Sequence, residues 1–207
     1  METVIIRNES GIAPEIIKNG GLVAVPTETV YGLAASGLNS DAVSKIYEVK
    51  NRPEVKPISL LVSGMEAVEK FCKDIPKEAY TMAEKFWPGP LTMILWRKPT
   101  VPYIVTSGGE TVGVRCPDHE VTLDIIRKAG VPLAAPSANL SGCPSPKNIE
   151  QVLKYFDGKI ECAVDGGECS VGIESTIVDM TRKPFKILRM GGLSRETIFE
   201  EAGIETV

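Results

Sequence analysis

Histidine is nearly missing from this sequence, and cysteine pairs are missing altogether. His119 is the single histidine among 207 residues, which excludes metal clusters rich in histidine and leaves any Ser–His nucleophile pair dependent on one side chain. The five cysteines are odd in number and form no C-x-x-C pair. These facts argue against a disulfide framework and against a zinc knuckle, so a reducing compartment, the cytoplasm, is expected.

A basic excess and a long apolar run are missing as well. The chain has 23 basic and 27 acidic residues, a net charge of −4, whereas a general nucleic-acid binder has an excess of basic residues. Any basic site must therefore be local. No run approaches the roughly 18 apolar residues of a membrane span, and residues 1–7 do not look like a signal peptide. The two common nucleotide loops, G-x-x-x-x-G-K-[ST] and G-x-G-x-x-G, do not occur either.

The apolar pattern predicts one α/β domain, residues 1–207, with a twisted mixed sheet flanked by helices. Short apolar runs predict strands at 22–25, 58–62, 91–96, 111–116, 132–135, 160–164, 175–178 and 185–188. Helical periodicity and capping residues predict helices at 40–50, 63–71, 75–86, 119–128, 145–156 and 194–203. Several strands are apolar on consecutive residues, which is typical of strands covered on both faces. The order of the strands in the sheet is not readable from the sequence.

Hydroxyl side chains gather where the first predicted strand ends. Thr27, Thr29 and Tyr31 precede Gly32 within six residues. A single threonine at such a place is best explained as turn or edge-strand polarity. Three hydroxyls beside a glycine turn favour contact with an anion.

A lysine stands where the helix at 40–50 is expected to bury an apolar residue. Val43, Ile46 and Tyr47 define the buried stripe, and Lys50 falls on the same face by the 3.6-residue period. The alternative is a lysine at a helix C-terminus that reaches water. Arg52 and Lys56 follow closely, and three crowded cations repel one another unless they share an anion.

Further polar residues follow other predicted strands. Arg115 ends a strand of small residues and suits bidentate capture of a carboxylate or phosphate, with a surface salt bridge as the alternative. The turn at 136–142 contains hydroxyl and amide side chains, and Arg189 precedes two glycines. A site that is rich in cations and hydroxyls but lacks an activated nucleophile suits phosphoryl or nucleotidyl transfer, where positioning and charge stabilisation dominate.

In combination these motifs resemble the YrdC family, specifically its short form. The resemblance covers about residue 10 to Gly192. It is carried by residues 26–33 (Pro-Thr-Glu-Thr-Val-Tyr-Gly-Leu), 50–53 (Lys-Asn-Arg-Pro), 114–117 (Val-Arg-Cys-Pro), 136–142 (Pro-Ser-Ala-Asn-Leu-Ser-Gly) and 174–178 (Glu-Ser-Thr-Ile-Val). The K-x-R and S-x-N patterns are both intact. Longer members carry a further C-terminal domain, and we expect residues 1–207 to form a single YrdC-like domain.

The resemblance implies an L-threonylcarbamoyladenylate synthase, which is a nucleotidyltransferase of tRNA processing. L-threonine, bicarbonate or carbon dioxide, and ATP would give threonylcarbamoyl-AMP, pyrophosphate and water. The product would serve threonylcarbamoyl modification of the tRNA adenosine beside the anticodon, through downstream tRNA threonylcarbamoyl transferase proteins. The resemblance also implies a large basic cavity and Mg²⁺ carried with ATP, without a metal site in the protein. It leaves open oligomeric state, weak RNA binding and the identity of any general base.

Site residues are carried over position by position. The residues implied for L-threonine are Thr27, Arg115, Ala135 and Ser175. Those implied for ATP are Arg52, Lys56, Thr111, Ser137, Asn139, Ser145 and Arg189. Lys50 and Arg52 are the implied catalytic pair, with Lys50 near the reacting phosphate. Replacing either of the two with alanine is expected to cripple turnover and leave the fold intact.

Three other functions remain open at this point. One is carbamoyl transfer, as in the YrdC-like module of hydrogenase-maturation proteins, and another is a paralogue without synthase activity. The third is a non-catalytic RNA-binding protein, whose binding would weaken steeply with salt. The acidic net charge disfavours the last of these.

Overall fold

The computed structural model describes residues 2–207. One mixed sheet runs through this part of the chain, with helices on both of its faces. The strands are β1 (Val4–Arg7), β2 (Val23–Val25), β3 (Gly32–Ser36), β4 (Leu60–Leu61), β5 (Cys72–Lys73), β6 (Leu91–Arg97), β7 (Thr111–Arg115), β8 (Leu133–Ala134), β9 (Cys162–Asp165), β10 (Thr176–Asp179) and β11 (Lys186–Arg189). The helices are α1 (Ala13–Lys18), α2 (Ser40–Lys50), α3 (Met65–Phe71), α4 (Lys77–Phe86), α5 (Glu120–Ala129), α6 (Ile149–Phe156) and α7 (Arg195–Ala202).

The strand order is β1-β9-β2-β3-β8-β4-β7-β6-β10-β11, and β5 pairs with β6 outside this path. Four pairs are parallel and six are antiparallel, so the predicted mixed sheet flanked by helices is confirmed. The central strands are buried on consecutive residues, because helices cover both faces. None of the helices within residues 2–207 has the length and apolarity needed to cross a membrane.

The two faces of the sheet bury separate apolar cores. Along β2, Val23 and Val25 belong to one core and Ala24 to the other, as the alternation of strand side chains requires. The first core is closed by α1 and α5, and the second by α2, α4 and α6. The candidate site forms at the ends of the strands.

The structure corrects two predicted helix starts. The helix predicted from 145 begins at Ile149, because Asn148 accepts a hydrogen bond from the Gln151 N–H and acts as its N-cap. The helix predicted from 63 begins at Met65 after Gly64, without a side-chain cap. Ser145 is thereby free for a contact at the candidate site.

Candidate functional site

Sheet topology brings four polar residues together at one end of four neighbouring strands. Strands β6 and β10 run parallel to each other, and β7 and β11 run antiparallel to them. The starts of the first two strands and the ends of the other two therefore meet. Thr92 and Ser175 lie at the two starts, and Arg115 and Arg189 at the two ends.

A cavity of about 270 Å³ opens at these strand ends. All four residues predicted for L-threonine line it, namely Thr27, Arg115, Ala135 and Ser175. Of the residues predicted for ATP, Arg52, Ser137 and Arg189 line it. The structure thus gathers three arginines and several hydroxyls around one space. The large basic cavity implied by the resemblance stays a prediction.

Arg115 is held from behind by a carboxylate. Its Nη2 donates to Oε1 of Glu28 at 2.6 Å, and its Nε donates to the carbonyl of Gly89 at 3.1 Å. Both members of the ion pair are buried, with 8% and 6% of their side chains exposed. These contacts occupy two of the five guanidinium N–H groups, which leaves three for an anion in the cavity.

Arg189 is held by the backbone of Ser175. Its Nε and Nη2 both donate to the carbonyl of Ser175, at 3.1 and 2.9 Å. The Ser175 hydroxyl in turn pairs with the Thr92 hydroxyl at 2.7 Å. Burial lowers the pKa of Arg189 from its ordinary value, and the nearby Arg115 cation lowers it further, while Glu174 opposes the shift. An anion placed between the two arginines would relieve this repulsion.

Arg52 reaches the cavity from the loop that follows α2. Asn51 ends that helix in the left-handed conformation, with a φ of 49°, which asparagine tolerates better than most residues. Arg52 then donates through Nη2 to the carbonyl of Pro57 at 2.9 Å. Burial lowers the pKa of Arg52 from its ordinary value. Hydrogen bonds within the loop, to the carbonyls of Lys56 and Pro57, hold the Arg52 guanidinium in one position.

Thr27 shapes the turn that forms one side of the cavity. Its hydroxyl donates to the carbonyl of Val30 at 2.6 Å and lies 2.9 Å from the Thr29 hydroxyl. The N–H groups of Thr29 and Val30 point back to the same oxygen at 3.3 Å. The hydroxyls of Thr27 and Thr29 therefore have a partly structural use, as local side-chain bonds of threonine often do.

Lys50 lies behind the cavity wall. The side chain is 1% exposed, and its Nζ donates to the carbonyls of Ser137, at 2.5 Å, and of Asn139. The Lys50 carbonyl also accepts from the N–H of Ser141 at 3.0 Å. Lys50 thus ties α2 to the turn at 136–142, and Ser137 of that turn lines the cavity. Its predicted place near a reacting phosphate stays a prediction.

The titration of Lys50 yields a pH-dependent stability. Burial, followed by the nearby Arg52 cation, lowers the pKa of Lys50 from 10.5 to about 7. The unfolded chain therefore holds a proton that the folded chain has released at pH values between these two. Raising the pH across this window disfavours unfolding, by at most about 1.4 kcal/mol per pH unit for one proton.

We expect this contribution to vanish in Lys50→Met. Denaturant titrations of both proteins at several pH values between about 7 and 10 give the difference in unfolding free energy, which should grow in favour of the unmodified protein as pH rises. A difference that stays constant with pH would contradict the shifted pKa of Lys50.

The remaining predicted residues lie outside the cavity lining. Thr111 begins β7, at the strand end opposite Arg115, and Lys56 lies exposed in the loop after α2. Asn139 uses its Nδ2 to brace the carbonyls of Leu140 and Cys143. The structure does not bring these three to the cavity among the residues it describes, and their contacts with ATP stay predictions.

Ser145 makes a hydrogen bond with Glu174, the first residue of the motif at 174–178. Its hydroxyl donates to Oε1 of Glu174 at 2.7 Å, and Glu174 lines the cavity. This hydrogen bond is the main cause that lowers the pKa of Glu174, and it favours the ionised carboxylate. Glu174 brings a negative charge into a cavity with three arginines.

Glu28 is a residue of the site to which the sequence motifs gave no role. A signal for it was present, because Glu28 is the single charged residue between Lys18 and Asp41. A lone carboxylate within a stretch that is otherwise apolar or hydroxyl-bearing indicates a buried ion pair. The partner, 87 positions along the chain, could be identified only from the fold.

Comparison with known proteins identifies relatives along nearly the whole chain. A family model named Sua5/YciO/YrdC, with the description telomere recombination, matches residues 15–191. The threonylcarbamoyl-AMP synthase of Pyrococcus abyssi (strain GE5 / Orsay) is 48% identical over 93% of this chain and 56% of its own length. The protein of the same name from Bacillus subtilis (strain 168) is 45% identical over 90% of this chain and 54% of its own. The chain therefore spans about half the length of these two relatives.

A solved structure matches the fold closely. The crystal structure of P. abyssi Sua5 complexed with L-threonine has a TM-score of 0.95 and 44% sequence identity. The match covers 100% of this chain and 63% of that one. The resemblance to the YrdC family is confirmed, and the chain belongs to the Sua5/YciO/YrdC family.

Proposed function

We propose that this protein makes threonylcarbamoyl-AMP from L-threonine, bicarbonate or carbon dioxide, and ATP. The observation that carries the proposal is the convergence of Arg52, Arg115 and Arg189 on one cavity that also holds hydroxyl groups. Several negative charges meet in this reaction, and fixed guanidinium groups suit them. Support also comes from the names of the P. abyssi and B. subtilis relatives and from a related structure that contains L-threonine.

L-threonine would bind at the Arg115 side of the cavity. Arg115 has three N–H groups left for a carboxylate, and a planar guanidinium binds a carboxylate through two parallel hydrogen bonds. The hydroxyl groups of Thr27 and Ser175 lie on the same lining, as does the methyl group of Ala135. These side chains offer polar partners and a small apolar contact to a small hydroxyl-bearing amino acid.

ATP would bind at the side of Arg52, Ser137 and Arg189. Arg52 and Arg189 come from different elements and face the same space, so they can hold phosphate oxygens from two directions. Lys50 acts in this proposal as a positioning residue, because it braces the carbonyls of Ser137 and Asn139 from behind.

The reaction needs no protein nucleophile. The amine nitrogen of threonine forms a bond with the carbon of carbon dioxide and loses a proton, which gives a carbamate. A carbamate oxygen then attacks the α-phosphorus of ATP, and the bond to the bridging oxygen breaks as pyrophosphate leaves. Starting from bicarbonate, one water is released. The part of the protein is to align the two substrates and to offset charge, which is how nucleotidyl transfer is generally accelerated.

Mg²⁺ fits this site as an ion carried by ATP. Among residues 2–207, no group of three or more His, Cys, Asp or Glu side chains could hold a metal ion. Mg²⁺ in such sites is commonly held by substrate phosphates, waters and one or two carboxylates. Glu174 is the carboxylate on the cavity lining that could provide one ligand.

The proposal also implies which proteins use the product and in which compartment. Threonylcarbamoyl-AMP would be consumed by tRNA threonylcarbamoyl transferase proteins in the cytoplasm, for the adenosine beside the anticodon. Direct binding of RNA is a weaker expectation, because the net charge of −4 disfavours it.

Isotope labelling tests the identity of the product. The protein is incubated with ATP, Mg²⁺, L-threonine and ¹³C-bicarbonate, and the nucleotides are analysed by mass spectrometry. We expect an adenylate that carries both the threonine mass and the ¹³C label. Carbamoyl transfer would instead require a carbamoyl donor. A carbamoylated product that forms without threonine would contradict the proposal.

A further inference from the structure

Glu28 occupies a junction between four segments of the candidate site. It follows β2 and is 6% exposed. Oε1 accepts from Nη2 of Arg115 at 2.6 Å, and Oε2 accepts from the N–H of Asp118 at 3.0 Å. The backbone carbonyl accepts from the N–H of Val171 at 2.7 Å. One residue therefore joins the turn after β2, the end of β7, the start of α5 and the segment before Glu174.

Glu28 acts on the cavity through Arg115. Arg115 lines the cavity, whereas Glu28 is not part of the lining that the described residues form. A guanidinium can turn about several bonds, and its five N–H groups point in fixed directions within one plane. The contacts with Glu28 and with the carbonyl of Gly89 fix two of these directions. The remaining N–H groups are then presented to the cavity in one orientation.

We propose that Glu28 is a positioning residue that sets the plane of Arg115 and thereby the recognition of the substrate carboxylate. The proposal rests on the proposed function, in which Arg115 holds the carboxylate of L-threonine. Glu28 itself touches no substrate. Its effect on ligand binding is confined to the discrimination between ligands that have the carboxylate and ligands that lack it.

Glutamine is a sharp probe of this role. The carboxylate accepts a hydrogen bond at each oxygen, from Arg115 and from the N–H of Asp118. The glutamine amide has the same shape but one accepting oxygen, so its NH₂ group must face one of these two donors. The bond from the Val171 N–H goes to the backbone of residue 28 and survives the substitution. Glu28→Gln therefore keeps the shape of residue 28 and its backbone bond, while it removes the charge that pairs with Arg115.

The test compares L-threonine with L-threoninol, in which an alcohol replaces the carboxylate. Isothermal titration of the full chain gives the Kd of each compound and of ATP, for the unmodified protein and for Glu28→Gln. We expect Glu28→Gln to weaken L-threonine binding about tenfold, the effect of disturbing one charged hydrogen bond. The Kd values for L-threoninol and ATP should stay within about twofold of those of the unmodified protein, because neither depends on the Arg115 plane for a carboxylate.

Glu110→Gln provides a control in a second, more exposed ion pair. Glu110 also pairs with a buried arginine, Arg97, at 3.3 Å, and it lies outside the cavity lining. This control should bind all three ligands as the unmodified protein does. Thermal unfolding establishes that each variant is folded. If Glu28→Gln does not fold, Glu28→Asp is used instead, because it retains the charge but shortens the side chain. The ratio of the Kd values for L-threonine and L-threoninol is then measured on that variant.

Each outcome has a definite meaning. A folded Glu28 variant with an unchanged preference for L-threonine over L-threoninol would overturn the positioning role. Equal loss of all three ligands would overturn it as well, because Glu28 would then be a general structural residue. If the unmodified protein binds ATP but shows no preference for L-threonine over L-threoninol, the proposed function fails together with this inference. The proposal is supported if the unmodified protein prefers L-threonine over L-threoninol and the Glu28 variant does not.

Discussion

Arg115→Met is expected to lower the free energy of unfolding by about 3 to 5 kcal/mol, the usual effect of removing one partner of a buried ion pair. Methionine has a similar length, so little volume is lost. The damage comes from Glu28, whose carboxylate would remain buried without its cation. L-threonine binding should be lost as well, because the methionine side chain cannot donate to a carboxylate.

A double variant separates the two effects. Glu28→Gln combined with Arg115→Met removes the buried negative charge, so we expect it to regain a substantial part of the lost stability. L-threonine binding should stay lost in the double variant, because the guanidinium is still missing. Chemical denaturation and titration calorimetry measure the two quantities on the same samples. A stable Arg115→Met protein that binds L-threonine normally would contradict the geometry given for this site.

Arg52→Ala is expected to lower kcat/KM for ATP by about 100-fold or more, the scale of losing one preorganised group that stabilises charge in a transition state. Its hydrogen bonds go to carbonyls of its own loop, at Lys56 and Pro57. The free energy of unfolding should therefore change by no more than about 1 kcal/mol.

Arg127→Ala is the control for Arg52→Ala. Arg127 is an exposed arginine that pairs with Glu120 at 2.7 Å and lies away from the cavity lining. Its removal should leave both turnover and stability nearly unchanged, as for most exposed ion pairs. Equal turnover in the Arg52 and Arg127 variants would exclude Arg52 from the reaction.

Lys50 requires a different expectation from the one that the sequence suggested. The sequence predicted that Lys50→Ala leaves the fold intact. The structure shows a side chain that supplies hydrogen bonds to two carbonyls of the turn at 136–142. Removing it leaves those carbonyls without their donor, so part of any loss of turnover would come from displacement of this turn.

The apolar strands and the amphipathic helices were readable from the sequence, whereas a strand of small residues and the shortest helix were not. Helix α2 was predicted with its bounds, because Asn39 caps it and its buried face is periodic. Strand β3 was missed, because Gly32–Ser36 consists of small residues with weak strand preference. It becomes a strand by pairing with β2 on one side and β8 on the other. Helix α1 has six residues, too few for a clear periodic signal.

The site was predictable as a set of residue types and less so as contacts. Strand ends that carry arginine or threonine pointed to Thr27, Arg115 and Arg189, and all three line the cavity. Lys50 was recognised as an unusual residue on a buried face, but the sequence could not distinguish a phosphate from a carbonyl as its partner. The role of Glu28 and the hydrogen bond between Glu174 and Ser145 were not foreseen, because both depend on partners that are far away in the chain.

Release of pyrophosphate tests the central claim most directly. The unmodified protein is given ATP and Mg²⁺, and pyrophosphate is measured with both L-threonine and bicarbonate, with either one alone and with neither. We expect release only when both are present, because the carbamate that attacks ATP is built from the two together. Release without threonine or without bicarbonate, or no release from folded protein that binds both L-threonine and ATP, would contradict the claim that this cavity makes threonylcarbamoyl-AMP.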